Sequence, residues 1–169
     1  VSGFQVNFAS EDIHTPGDKV DALIAMNPAA LKANLKDIKG GGLIIVNESE
    51  FTKVNLKKAG YAEGYNPLED DELQQTYKIY QVPLTRLTQE ELAESGLGAK
   101  EQARCKNMYA LGLVYYLYDR PLENTVKFLE QTFKERKNLP EVGDANIQAL
   151  KAGYNFGDTA EIFPVQYQV

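Results

Sequence analysis

The chain has 169 residues, 43% hydrophobic and 25% charged, with a formal net charge of −6 and a pI near 4.9. That is enough for one domain with a real core, since a chain of this size buries roughly 70% of its unfolded surface. An acidic surface of mixed charge lacks the basic footprint of a nucleic-acid binder, and a single cysteine excludes both an internal disulfide framework and a cysteine metal cluster.

Gly3 to Ala9 alternates weakly and reads as an edge strand, followed by a loop with Pro16-Gly17 as its turn signal. Val20 to Met26 is apolar but for Asp21, the pattern of a strand covered on both faces. Asn27 then caps a helix and Pro28 fits its first position. Leu31, Leu35 and Ile38 give that helix an apolar stripe, and Gly40-Gly41-Gly42 stop it. Leu43 to Asn47 is a second buried strand, so this unit predicts a right-handed βαβ crossover.

Beyond it, Lys53 to Gly60 reads as a short helix and Gly64 to Glu72 as a polar loop. Tyr77 to Val82 is a third strand, closed by Pro83. Thr88, with Glu91 three residues on, reads as a capping box opening a helix. Lys100 to Tyr118 is a long helix, broken at Asp119-Arg120-Pro121. Leu122 to Lys137 carries Leu122, Val126, Leu129 and Phe133 at helical spacing. Asn138-Leu139-Pro140 interrupts, and Asp144 caps a last helix with Ile147, Leu150 and Tyr154 on one face. The order predicts an α/β protein: a three-layer α/β/α core with a mainly parallel sheet and a helical C-terminal half.

The longest charge-free apolar run, MYALGLVYYLY at Met108 to Tyr118, has eleven residues. A bilayer span needs about 20, so no membrane association is expected. No signal peptide is visible either, and with one cysteine the chain is expected to be cytoplasmic. The same run makes a helix buried nearly all round. Gly112 in its middle costs about 1 kcal/mol of helix propensity and so implies a close neighbour. Either the helix is central to the domain or part of it meets another chain.

The residues that could carry chemistry are few. In open α/β sheets ligands sit where strands end and helices begin, which singles out Asn27, Pro28 and, at the next strand end, Asn47. A helix N-terminus there can present N–H groups to an anion, although Pro28 lacks one donor and no Gly-rich loop precedes it. An ordinary helix cap is the simpler account. The triple glycine follows a helix and precedes a strand, the reverse of a phosphate loop. His14, the sole histidine, reads as a solvated loop residue. Cys105, between Arg104 and Lys106, reads as a packing cysteine whose flanking charges could lower its pKa. Glu69, Asp70, Asp71 and Glu72 lack the spacing of a calcium loop. Glu90, Glu91 and Glu94 fit a helix's opening turns. No nucleophile–base pair, metal cluster or phosphate loop is visible. The residues alone leave open a free-standing nucleotide- or anion-binding α/β module.

Three stretches carry a resemblance: VDALIAMNPAALKANLKDIKGGGLIIVN, KNMYALGLVYYLYDRPLENTVKFLEQTF and DANIQALKAGYNFGDTAEIFPVQY. In this order they resemble the gamma domain of the 2-oxoacid:ferredoxin oxidoreductases, and more the fused gamma–alpha 2-oxoglutarate type than the pyruvate type. The resemblance implies a single gamma-type domain over residues 1–169 with no catalytic group of its own. It would serve assembly and border the entry of coenzyme A, with Asn27, Pro28 and Asn47 on that side. The whole enzyme would decarboxylate a 2-oxoacid oxidatively to an acyl-CoA. Thiamine diphosphate, magnesium and iron–sulfur clusters would sit on alpha and beta parts, with ferredoxin as acceptor. The family's usual N-terminal strand and Gly-rich loop have no counterpart here. The chain starts without methionine, and its last residues, FPVQYQV, alternate like a strand cut short. A segment of a longer protein is therefore expected, with residues 156–169 leading into a following domain.

Overall fold

The computed structural model describes residues 3–7, 17, 19–160 and 163. The chain forms two compact units, Val1–Pro83 and Leu84–Val169.

The first unit is α/β. Strands β1 (Val20–Ala25), β2 (Ile38–Asn47) and β3 (Lys78–Val82) form a parallel sheet in the order β1-β2-β3. Helix α1 (Pro28–Asn34) joins β1 to β2; α2 (Lys53–Lys58) and α3 (Asp71–Thr76) lie between β2 and β3. The strand buried on both faces is β2, not β1. Ile44, Ile45, Val46 and Asn47 are all 0–1% exposed, because β2 is paired on both sides. On β1 only Ala25 is fully buried. Residues 3–7 are exposed and form no strand, so the expected edge strand fails over them; residues 8 and 9 lie outside the described set, as do His14, Pro16 and all of FPVQYQV except the buried Phe163.

Asn27 and Pro28 open α1 as their chemistry requires. Asn27 Oδ1 accepts the Ala30 N–H at 2.9 Å, and Pro28 fills the first turn, where its missing N–H costs nothing. The apolar stripe is real but not all helical. Leu31 is on α1, Leu35 in a 3₁₀ turn and Ile38 at the start of β2, and all three join the cluster around Ala25, Ile44 and Val46.

The triple glycine does not stop the helix; it lies inside β2. Val20 pairs with Ile38 and Ala22 with Leu43, so Asp21 alone faces residues 39–42 and three extra residues bulge from β2. Gly41 has φ +74°, and a Cβ on Gly42 would lie 2.7 Å from Ile38 Cγ1. Glycine is required at these two positions, by backbone conformation at Gly41 and by space at Gly42. Lys39 steadies it with an ion pair to Asp21 at 2.6 Å.

The expected polar loop at 64–72 is also structured. Asn66 Oδ1 accepts the Leu68 N–H to open a 3₁₀ turn, and Asp70 Oδ1 accepts the Leu73 N–H to cap α3. The acidic run is thus a cap and a first turn, where carboxylates favour the helix dipole.

The second unit is helical: α4 (Leu84–Glu91), α5 (Ala99–Arg104), α6 (Lys106–Leu117), α7 (Glu123–Leu129), a π-helical segment (Glu130–Arg136) and α8 (Pro140–Thr159). Thr88 does not open a helix. It sits mid-helix in α4, fully buried, and donates its hydroxyl to the Leu84 carbonyl at 2.6 Å. Leu84, Thr88 and Leu92 share one face and are all fully buried, so burial at a spacing of four overrides the capping pattern. The long helix at 100–118 divides at Cys105, whose N–H bonds the Gln102 carbonyl in a tightened turn. Asp144 lies inside α8 rather than capping it, because Pro140 sets the start.

Helices α6 and α8 pack tightly. A Cβ on Gly112 would lie 2.0 Å from the Leu150 carbonyl oxygen, and one on Gly153 would lie 1.9 Å from that of Tyr109. The neighbour Gly112 requires is therefore α8, and beyond Asn107 no residue of α6 is exposed. The deepest face is Tyr109, Leu113 and Leu117; Met108 and Leu111 instead pack on Leu129, Ile147 and Leu150. Among the described residues no helix is long and apolar enough to cross a membrane.

Candidate functional site

Parallel pairing brings the strand ends together. Ala25 is opposite Val46, and Asn47 is opposite Val82, so the Asn27 turn and the end of β2 are neighbours on the C-terminal edge of the sheet. Asn47 is fully buried and points its amide nitrogen at the Met26 carbonyl, at 3.5 Å the long limit of a hydrogen bond. Pro28 is buried and Asn27 exposed. Asn27, Pro28 and Asn47 therefore do come together, as a brace between two strand ends.

This brace is a poor anion site by itself. Helix α1 has seven residues, Pro28 has no N–H, and the Ala30 N–H is taken by Asn27. Little of the first turn's donor capacity remains for a ligand, which argues against the free-standing anion-binding module.

The other residues singled out by pattern are structural. Cys105 is 2% exposed, with its thiol 3.6 Å from the Glu101 carbonyl; burial, and secondarily the Glu101 charge, raise its pKa, opposite to the effect expected from its cationic neighbours. Glu90 and Glu91 end α4 rather than open a helix; Glu90 pairs with Arg86 at 2.9 Å and Glu91 accepts Gln148 Nε2 at 3.0 Å. Among the described residues no three His, Cys, Asp or Glu side chains converge as metal ligands.

Asp70 has a second partner. The Tyr65 hydroxyl donates to its free oxygen at 2.5 Å, which lowers the Asp70 pKa first, with the Leu73 N–H helping, and pushes Tyr65 up to about 12. The Asp70 share of stability is thus present above its unfolded pKa near 3.9 and lost as pH falls through the lower folded value. The Tyr65 share is present below pH 10 and lost as pH rises toward 12. Tyr65→Phe is expected to move Asp70 upward, toward but not fully to an ordinary carboxylate value, in a carboxyl-carbon NMR titration. An unmoved Asp70 would show that the Leu73 N–H alone holds it down.

Two grooves stand out among the described residues. One, of about 480 Å³, follows the outer edge of β3 from Tyr77 to Gln81. The other, of about 560 Å³, runs along α8, with Tyr109 and Phe156 among its apolar walls and Gln148, Lys151 and Asn155 among its polar ones. Pattern reading missed this second groove. Its signal is the polar series Asp144, Gln148, Lys151, Asn155, Thr159, which recurs at helical spacing on the side of α8 away from Leu150.

The chain thus combines an α/β unit whose strand ends are braced by Asn47 with a tightly packed helical unit. The chain belongs to the pyruvate ferredoxin/flavodoxin oxidoreductase family, whose model matches residues 1–156. It is similar to the 2-oxoglutarate oxidoreductase subunit KorA of Mycobacterium tuberculosis (strain ATCC 25618 / H37Rv), with 47% identity over 169 residues, covering 100% of this chain and 25% of that protein. It also matches the fold of a 2-oxoglutarate:ferredoxin oxidoreductase from Magnetococcus marinus, solved with 2-oxoglutarate, coenzyme A and succinyl-CoA bound. There the TM-score is 0.64 at 22% identity, covering 95% of this chain and 23% of the other. The chain thus spans about a quarter of the length of the relatives it matches.

Proposed function

We propose that this chain is the gamma domain of a 2-oxoacid:ferredoxin oxidoreductase of the 2-oxoglutarate type, and that it assembles the enzyme and walls the coenzyme A side without performing chemistry itself. The observation that carries this reading is 47% identity to a 2-oxoglutarate oxidoreductase subunit over the whole chain. In the proposed reaction the carboxylate leaves as carbon dioxide, the acyl carbon is captured by the thiol of coenzyme A, and the two electrons released pass to ferredoxin.

The side chains available fit a supporting role. An all-cysteine iron–sulfur cluster needs four thiolates, and the sequence has one cysteine, which is buried. Thiamine diphosphate, magnesium and the clusters therefore belong on alpha and beta companions in this reading, and the enzyme works in the cytoplasm. Asn27, Pro28 and Asn47 do not fit a self-sufficient coenzyme A site, since Asn27 Oδ1 and Asn47 Nδ2 are directed to backbone groups. They fit one wall of a crevice whose other wall comes from a companion.

Co-expression with alpha and beta companions tests this. The expected result is a complex that reduces ferredoxin only when 2-oxoglutarate and coenzyme A are both present, with amide exchange at Met26, Asn27 and Asn47 slowed by coenzyme A. Turnover by the chain alone, or failure to join an active complex, would overturn it.

A further inference from the structure

We propose that the π-helical segment Glu130–Arg136 is a two-state joint between α7 and α8, wound π while it is held against α8 and rewound to an α-helix when that hold is released. A π-turn bonds residues five apart and is rare, whereas an α-turn bonds residues four apart.

The sequence of the segment specifies an α-helix. Leu122, Val126, Leu129 and Phe133 recur at 4, 3, 4 spacing, the stripe of α winding. The ending is also that of an α-helix. Asn138 takes the left-handed conformation, φ 52°, of the residue just past a helix end, and Pro140 stands two residues on. In such an ending the N–H of the next residue bonds the carbonyl five residues back. Here the Leu139 N–H bonds the Phe133 carbonyl at 2.7 Å, six residues back. The cap is one residue too long, the excess that π winding creates.

Thr132 registers the same slip. Thr76, Thr88 and Thr159 each donate a hydroxyl to the carbonyl four residues back, at 2.7, 2.6 and 2.8 Å. Thr132 Oγ1 is shut away from solvent and has no hydrogen-bond partner among the described residues. In α winding the Phe128 carbonyl stands within reach of that hydroxyl; the wider turn takes it away. A buried hydroxyl without a partner is unfavourable, so Thr132 favours rewinding.

What opposes rewinding is α8. Gly143 admits the segment closely, since a Cβ there would lie 3.1 Å from Phe133 Cβ and 3.3 Å from Lys134 Cγ. Phe133 packs on Leu129, Ile147 and Leu150. Lys134 Nζ reaches Asp144 of α8 at 2.7 Å and stands 3.8 Å from Glu130, its natural partner four residues back in an α-helix. Lys134 therefore has two carboxylates to choose from, one for each winding. On rewinding, Lys134 turns to Glu130, Thr132 bonds the Phe128 carbonyl, and the Leu139 N–H passes to the Lys134 carbonyl. Lys137, Asn138 and Leu139 are exposed, so the link can follow the shift. Local signals and tertiary packing disagree here, as they do at functional or strained elements.

Relaxation-dispersion NMR on the 169-residue chain tests this, because helix register shifts fall in the microsecond-to-millisecond range and minor states of about 0.1–10% respond. Exchange with one common rate is expected over residues 130–139. Two substitutions should move the minor population in opposite directions. Thr132→Val removes the hydroxyl that gains from rewinding and should lower it about tenfold. Asp144→Asn releases Lys134 and should raise it about twofold, as an exposed ion pair allows. A chain lacking the exposed Gln131 has one residue fewer to wind and should fold with the segment locked in α, without exchange. Flat dispersion over residues 130–139 in the unaltered chain would overturn the proposal. So would populations that fail to move in these opposite directions, or a Gln131 deletion that unfolds or keeps exchanging.

Discussion

Gly153→Ala is expected to destabilise the helical unit by about 4 kcal/mol, beyond the range of most point substitutions. A Cβ there would lie 1.9 Å from the Tyr109 carbonyl oxygen and 2.7 Å from its carbon. The obstacle is main chain, so no rotamer change relieves it, and α6 and α8 must move apart. That movement loosens Leu113, Leu117, Ala149 and Leu150, all within 1% of complete burial. Alanine returns about 1 kcal/mol of helix propensity, far less than the loss. Gly112→Ala should behave alike, its Cβ meeting the Leu150 carbonyl at 2.0 Å. Gly157→Ala should be milder, because its obstacle is the Tyr116 side chain, which can turn. Once one substitution has separated the helices the other finds room, so the Gly112/Gly153 double variant should lose less than the sum of the two singles. Denaturant unfolding of the four proteins checks this; full additivity would mean the two contacts yield independently.

Asn47→Asp is expected to damage the first unit almost as severely, and its effect should depend on pH. The residue is fully buried between paired strands, with its amide nitrogen toward the Met26 carbonyl. A carboxylate there would lose solvation and face a carbonyl oxygen in place of a donor. Both effects favour the neutral acid, so its folded pKa lies above the unfolded value near 3.9. The variant then approaches the parent below pH 4 and loses stability as pH rises toward the folded pKa, reaching a deficit on the order of 3 kcal/mol or more at pH 8. Chemical denaturation of both proteins from pH 4 to 8 measures the difference. A pH-independent deficit would mean water reaches the site.

The first unit was largely legible because its signals are local. An apolar run, Asn-Pro and a second apolar run define β1, α1 and β2 without knowledge of anything distant. The triple glycine was not legible, because a helix stop and a strand bulge ask for the same residue; only the pairing of Val20 with Ile38 decides between them. In the second unit Thr88 and Asp144 matched capping patterns, but Leu84 and Pro140, four residues upstream in each case, were already helical. The π-helical turn at Glu130–Arg136 keeps the apolar spacing of an α-helix and so leaves no trace in the sequence. Of the candidate site, Asn27, Pro28 and Asn47 followed from strand–helix order, whereas the α8 groove depends on three helices separated in sequence and could be seen only once they packed.

The glycine bulge has a consequence for how this protein can be handled. The irregularity in β2 ends before Leu43, and from Ala22–Leu43 to Ala25–Val46 the register runs without interruption. A Cβ on Gly40 or Gly41 would meet nothing within 4 Å. Length can therefore change at this extrusion without displacing Asn47 at the far end of the strand. It is a permissive point for inserting an epitope or a spectroscopic label, insulated from the C-terminal strand ends by an intact ladder.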